Sequence, residues 1–295
     1  MDHAYFLQQI VFGITLGCLY GLIAIGYTMV YGVLRLINFA HGDLLMVSAY
    51  IAFFGIVIFH LPWLAALVIA VILTGILGVV IDRGAYKPLR RSPRISALIT
   101  AIGVSFLLEN LGIVLIGGRP KSFPIPEMFS GYVAAGGVRI PILSFWVFLV
   151  TAILLIGVVL VVNRSKTGMA MRALSRDMET VALMGVDANR VISFTFVLGS
   201  FLAAVGGILW CMKYPAVEPF MGVIPGLKAF VAAVLGGIGN VVGAALGGLI
   251  LGLAEILIVA FRPDWSGYRD AIAFCILIVI LLTRPTGIMG EDLPD

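Results

Sequence analysis

Residues 141–162 read PILSFWVFLVTAILLIGVVLVV, without one Lys, Arg, Asp or Glu, and their reading decides the fold. As a helix this stretch rises about 33 Å, enough to cross the hydrocarbon core of a bilayer. It has company. Apolar blocks also run at about 7–34, 43–59, 62–81, 95–117, 191–212, 227–260 and 270–283. The 295 residues are 61% hydrophobic and 12% charged, against roughly 45–50% and 25% for soluble domains. The chain therefore reads as an all-α polytopic membrane helix bundle of about eight hydrophobic segments, one transmembrane domain over residues 1–295. An ordinary soluble domain, a single-pass receptor and a disulfide scaffold are excluded.

The charges orient these segments. Ten of the nineteen Lys and Arg residues fall in two stretches, Asp82–Arg94 and Asn163–Arg190, and short basic loops stay cytoplasmic during insertion. Both stretches are therefore assigned to the inside, with the Gly/Pro-rich 118–140 loop and the N-terminus outside and Arg35 inside. The block at 227–260 is too long for one span and is interrupted by Gly236-Gly237-Ile238-Gly239-Asn240. A kinked helix and a re-entrant half-helix both fit it, and the balance of Arg262 and Arg269 against Arg284 leans towards a cytoplasmic tail. Met1-Asp2-His3-Ala4 lacks the basic region of a cleavable signal, so the first block is expected to stay in the mature protein. Cys18, Cys211 and Cys275 lie in or beside apolar blocks without metal-ligand spacing and read as small hydrophobes.

Glycines recur with helical spacing. Gly13, Gly17 and Gly21 form one ridge, Gly239, Gly243 and Gly247 begin another, and Gly248 and Gly252 extend it. Such rows let helix backbones approach closely where lipid supplies no hydrophobic drive for association. Charges inside spans are expensive, so each asks for a partner or a function. Glu109 shares a small, polar helical face with Ala101, Ser105 and Gly112, and Glu255 shares one with Gly248 and Gly252. Both are expected to point into protein, in a hydrogen-bonded role, along a pathway, or as proton-coupling carboxylates. A third polar place is Arg35-Leu36-Ile37-Asn38-Phe39-Ala40-His41-Gly42-Asp43. Asn38 or Asp43 could cap a helix starting near Leu44, while broken helices of transporters suggest a gate or substrate path through Asn38, His41 and Asp43. His41 and Asp43 alone do not make a metal site. No nucleophile–base pair, phosphate-binding loop or metalloprotease motif is present, so neither a metal nor a cofactor is expected.

The second basic loop, Thr167 to Asp187, reads as an amphipathic helix, with Met178, Val181, Ala182 and Gly185 on one stripe and Arg172, Arg176, Asp177 and Glu179 on another. Gly185 is placed to end it in a left-handed conformation and Asp187 to start the next helix. Such a helix rests on the bilayer surface or docks on a cytoplasmic partner.

AIGYTMVYG at 24–32, INFAHGD at 37–43, the Thr167–Gly185 loop and AFVAAVLGGIG at 229–239 together resemble the permease subunits of branched-chain amino acid ABC importers, specifically the smaller, H-type partner of a two-permease system. The resemblance covers essentially the whole chain. It implies a permease domain whose cytoplasmic loop, about 163–190, sits on the ATPase subunit through Arg172, Asp177, Glu179, Ala182 and Gly185. Glu179 and Gly185 match the spacing of the general importer loop, although Thr180, Val181, Thr195, Val197 and Leu198 depart from it. It further implies passage of leucine, isoleucine, valine or related amino acids into the cytoplasm across a bacterial inner membrane. The implied partners are a second permease subunit, two ATP-binding subunits and a periplasmic substrate-binding protein, with no nucleic acid and no hydrolysis by this chain. The alternatives are the same architecture for urea, amides or other amino acids, a proton-coupled secondary transporter using Glu109 or Glu255, and an intramembrane enzyme, which lacks a catalytic constellation.

Overall fold

The computed structural model describes residues 3–290 except Arg91 and Gly136, and only the backbone of Arg94, Ala135, Glu179 and Ala182. Its helices are α1 (His3–Leu34), α2 (His41–Val57), α3 (Trp63–Ile81), α4 (Arg94–Ile116), the short α5 (Glu127–Ser130), α6 (Ile142–Arg164), α7 (Lys166–Arg176), α8 (Met178–Leu183), α9 (Ala188–Lys213), α10 (Val223–Gly236), α11 (Val241–Phe261) and α12 (Arg269–Thr283). Among the described residues seven helical stretches are long and apolar enough to cross a bilayer, the last being α12 together with the helical turn Pro263–Tyr268 before it, while α2 and α10 are shorter apolar helices. Two small antiparallel pairs, β1 (Lys121–Ser122) with β4 (Ala216–Val217) and β2 (Tyr132–Ala135) with β3 (Val138–Pro141), lie in the loops of one end.

The bundle is built around α1, whose most apolar stretch is 78% buried in protein, whereas that of the last stretch, Pro263–Thr283, is 6% buried. The difference follows from composition. The peripheral helices α4, α6 and α12 turn residues such as Val114, Phe148 and Leu282 outwards, where hydrocarbon solvates them without cost, while α1 presents glycines. Its ridge meets α11 in antiparallel register. A Cβ on Gly17 would lie 2.7 Å from the Leu249 Cα, one on Gly13 3.1 Å from the Leu253 Cα, and one on Gly21 3.1 Å from the Ala245 carbonyl oxygen. Gly248 and Gly252 return the fit, each seated on the backbone of Gly21 or Gly17. Close backbone approach supplies the dispersion contacts that hold helices together in lipid.

The block at 227–260 is two helices. Gly237 and Gly239 take φ of +107° and +99°, a turn that only glycine makes without strain, and Asn240 caps α11 by accepting from the Gly243 N–H at 2.9 Å. Gly236 packs on Gly243 and Gly247 on Ala232, so α10 and α11 form an antiparallel hairpin with its tip beside Gly32. Gly243 and Gly247 thus serve the hairpin, Gly239 faces α1, and the α1 ridge pairs with Gly248 and Gly252.

One end of the bundle collects Arg35, both basic stretches, the hairpin tip and residues 284–290. Arg35 donates to the Ser175 carbonyl oxygen at 3.0 Å, Arg90 to Asn189 Oδ1 at 2.6 Å, and the Ile288 and Met289 amides to the carbonyl oxygens of Leu235 and Gly236. The opposite end holds the 117–141 loop and the start of α1, where Gln8 and Arg139 exchange hydrogen bonds.

A candidate translocation site and a candidate coupling loop

Two helices start inside the bundle. Arg35, at φ +53°, stops α1, and the chain doubles back so that α2 begins at His41, alongside the middle of α1. Gly26 makes the room: a Cβ there would lie 2.5 Å from His41 Nε2, and the His41 ring sits 4.5 Å from that of Tyr27. From the opposite end, residues 214–222 lead inwards to the start of α10, where Gly42 and Gly222 abut and a Cβ on Gly42 would be 2.6 Å from the Gly222 carbonyl oxygen. Phe230 of α10 packs its ring 6.2 Å from Tyr27 and 6.3 Å from Phe39. The strings 24–32, 37–43 and 229–239 therefore belong to one place in space.

The expected cap is corrected here. The helix starts at His41 and not near Leu44, its N-cap is Ala40, and no side chain caps it. The Ala40 and Asn38 carbonyl oxygens take the first amides, which leaves the two polar side chains to other partners. Asn38 Oδ1 accepts from the Tyr86 hydroxyl at 2.9 Å, and Asp43 Oδ2 accepts from Ser105 Oγ at 2.5 Å.

Beside this junction lies a cavity of about 160 Å³, walled by Phe39, Ile102, Phe106, Val223 and Leu227 and carrying Asp43, Ser105 and Glu109. Asp43 is 2% and Glu109 6% exposed, and no Lys, Arg or His lines the cavity. Glu109 has no hydrogen-bond or ion-pair partner among the described residues. A much larger space, about 880 Å³ among α3, α6 and α9, is walled almost wholly by apolar side chains, Leu, Val, Ile, Phe, Trp and Met, with no charged residue among them.

Glu255 lies elsewhere. It accepts from the Tyr20 hydroxyl and from Lys228 Nζ, each at 3.0 Å, and Lys228 reaches on to Asp270 at 2.7 Å. All of Tyr20, Lys228 and Glu255 are buried, and Glu255 lines none of the described cavities. Lys228 was missed in the sequence, although it is a cation inside an apolar block and the cost that flags Glu255 flags it equally.

The loop after α6 is two helices and not one. Asp177, extended at φ −152°, breaks the run and accepts from the Thr180 amide at 3.0 Å, so that α8 starts anew. Gly168 lets α7 fold back against the Val161 and Val162 carbonyls, and Arg172 donates to the Val162 carbonyl oxygen. Gly185 has φ +81°, and the Asp187 carboxylate accepts from the Asn189 and Arg190 amides to start α9. The side chains of Glu179 and Ala182 fall outside the described ones. Between them and Gly185, Leu183 and Met184 are 89% and 79% exposed at the end of the bundle, an apolar tip that the helical-stripe reading did not single out.

Another missed element joins this loop to the junction. Residues 82–86 form a π-helical turn, an irregularity common at functional sites, with Asp82 and Tyr86 both fully buried. Asp82 accepts from Ser193 Oγ at 2.7 Å and pairs with Arg90 at 2.6 Å, while Tyr86 holds Asn38. A lone acid in a basic loop was the available signal for Asp82.

A family model described as branched-chain amino acid transport system / permease component matches residues 9–281. The high-affinity branched-chain amino acid transport system permease protein BraD of Pseudomonas aeruginosa is 44% identical, over 97% of this chain and 96% of the relative. The permease protein LivH of the same description from Escherichia coli K12 is 41% identical over the same shares. A probable LivH of Methanocaldococcus jannaschii is 29% identical over 92% and 88%.

Proposed function

The chain belongs to the family of branched-chain amino acid transport permease components, and from that premise we propose that it passes branched-chain or related amino acids inwards across the bacterial inner membrane as the membrane-spanning subunit of an ATP-driven importer. The observation that carries this reading is the 44% identity to such a permease along almost the whole of both chains. The chain hydrolyses no ATP. Two ATP-binding subunits power it, a second permease subunit completes the path, and a periplasmic binding protein delivers the solute.

The fold suits each role. Solute passes at the junction where α2 and α10 begin, since irregular backbone inside a bilayer is tolerated where it is buried in protein or lines an aqueous path. The Leu183–Met184 tip, set by the left-handed Gly185, is the element that docks on an ATP-binding subunit, because apolar side chains held out into cytoplasm gain by burial in a partner. Its movement reaches the junction through α9, Asp82, Tyr86 and Asn38.

Reconstitution with the partner subunits and loaded binding protein tests the proposal. ATP-dependent leucine uptake is expected, and the double variant Leu183→Ser/Met184→Ser should insert normally yet lose co-purification of the ATP-binding subunits. Tyr86→Phe should keep stimulated ATP hydrolysis while lowering leucine moved per ATP. Uptake driven by a proton gradient without ATP would replace the importer by a secondary transporter.

A further inference from the structure

We infer that the cavity between α2, α4 and α10 is a transit site for the α-ammonium group of a neutral aliphatic amino acid, with Glu109 and Asp43 as its acceptors. The inference rests on the importer reading and names which groups of this chain meet the solute.

An ionised or ionisable side chain without a partner inside a bundle is costly, and folded proteins remove that cost by pairing. Here the chain does so elsewhere: Glu255 is matched to Lys228 and Tyr20. Glu109 is 6% exposed, lines the cavity and is unmatched among the described residues, and Asp43 beside it accepts from Ser105 Oγ with no cation on it. Two carboxyl groups facing one space with no cation among its lining residues describe a receptor for a positive charge. Beyond Asp43, Glu109, Ser105 and the Tyr27 hydroxyl the side chains on the wall, Phe39, Ile102, Phe106, Val223 and Leu227, are hydrocarbon, a poorer match for a hard metal cation, which takes about six or more oxygens, than for an organic cation. They fit a short hydrocarbon carried on a compact ammonium. The cavity, at about 160 Å³, is below the usual range for drug-sized ligands and of the scale of one small solute. Ammonium–carboxylate hydrogen bonds are the strong kind, yet this chain encloses the site only in part, since Phe106 at its rim is 60% exposed on the outer face of α4, where a second permease subunit would close it. A pathway needs that combination, attraction enough to enter and weak enough to leave.

The test uses the assembled transporter in proteoliposomes with Cys275→Ser, Cys18 and Cys211 being buried. Ile102→Cys, on the cavity wall, reports access through its rate of reaction with a small cationic thiol reagent. Millimolar leucine and isoamylamine, which share the ammonium, are expected to slow labelling several-fold, whereas 4-methylpentanoate, with the same hydrocarbon and no ammonium, leaves the rate unchanged. Glu109→Gln should abolish the protection in a complex that still assembles, and Asp43→Asn provides the same reading if that variant does not. Equal protection by 4-methylpentanoate, protection that survives both substitutions, or no protection by any of the three overturns the inference. If neither Ile102→Cys nor Val223→Cys is labelled, the cavity does not open to water and the inference falls. Protection without ATP-dependent leucine uptake by the unsubstituted transporter would instead sink the importer reading and leave the site standing.

Discussion

Glu255 and Glu109 are the same residue in the same solvent, each buried within a membrane helix, and they have opposite surroundings. Glu255 of α11 is enclosed: Tyr20 from α1 and Lys228 from α10 satisfy its two oxygens, and Asp270 at the head of α12 holds the other side of the lysine. Glu109 of α4 faces a cavity with another acid and no cation. The first arrangement is a joint among four helices; the second leaves two acids at a cavity, the place we propose for the ammonium group of the solute. Burial is the same for both; only the partners differ.

Breaking the joint should have the largest effect. Lys228→Met leaves Glu255 buried without its countercharge, and removing one member of a buried pair costs about 3–5 kcal/mol. A sharp loss of folded subunit and a lower unfolding temperature in detergent are expected, with most of the loss recovered in Tyr20→Phe/Lys228→Met/Glu255→Met, which also removes the buried hydroxyl that would lose its acceptor, since apolar replacement of a whole buried network is often neutral. If the triple variant is as unstable as the single one, the joint is not what the charges are for. Next comes the seam that closes the joint. Gly248→Leu would drive a side chain into the α1 backbone at Gly17 and Gly21, an overpacking at the upper end of about 1–3 kcal/mol, and would let water reach Glu255. Faster hydrogen exchange of the α1 and α11 amides would show it.

A smaller contrast sharpens the comparison from both sides. Tyr20→Phe removes a hydrogen bond to an enclosed carboxyl and should cost about 1.5–3 kcal/mol, whereas Ser105→Ala removes one from Asp43 beside an open cavity, where water can substitute, and should cost about 1 kcal/mol or less. Equal losses of thermal stability would mean that the cavity is as closed as the joint. The smallest effect on stability belongs to Glu109→Gln, within about 0.5 kcal/mol because no partner is orphaned, while leucine uptake by the assembled complex falls at least about ten-fold. An unstable Glu109→Gln protein with normal residual transport per molecule would reverse the assignment of the two glutamates.

Much of this molecule is legible before folding because the relevant forces are local or one-dimensional. Hydrophobic blocks announce the spans, the basic stretches at 82–94 and 163–190 lie at one end, and Gly185 takes the left-handed turn that its place after an apolar stripe implies. The α1 ridge and its Gly248–Gly252 counterpart are visible as spacing and the break at 236–240 as composition, whereas Gly239, read with Gly243 and Gly247 as one ridge, lies in the turn before α11. Where the reading of the junction went astray, the competing interaction came from far along the chain: Asn38 was a plausible cap until Tyr86, 48 residues away, took its oxygen. The single amphipathic helix at 167–187 became two because Asp177 found Thr180 and turned the chain, a choice between local hydrogen bonds that side-chain periodicity does not weigh.

The sequence by itself determined that charged groups would stand inside the bilayer, since an ionisable residue in an apolar block is costly whatever the fold. Only the tertiary structure decided which of them would be matched. Tyr20 lies 235 residues from Glu255 and Lys228 27 residues from it, while Ser105 lies 62 residues from Asp43, separations that no helical or strand period spans. Partnering between charges depends on which helices pack side by side, and in lipid that is set by how closely their backbones can approach. The glycine seam of α1 and α11 and the Gly42–Gly222 contact of α2 and α10 thus placed one glutamate in a closed joint and left the other facing an open cavity.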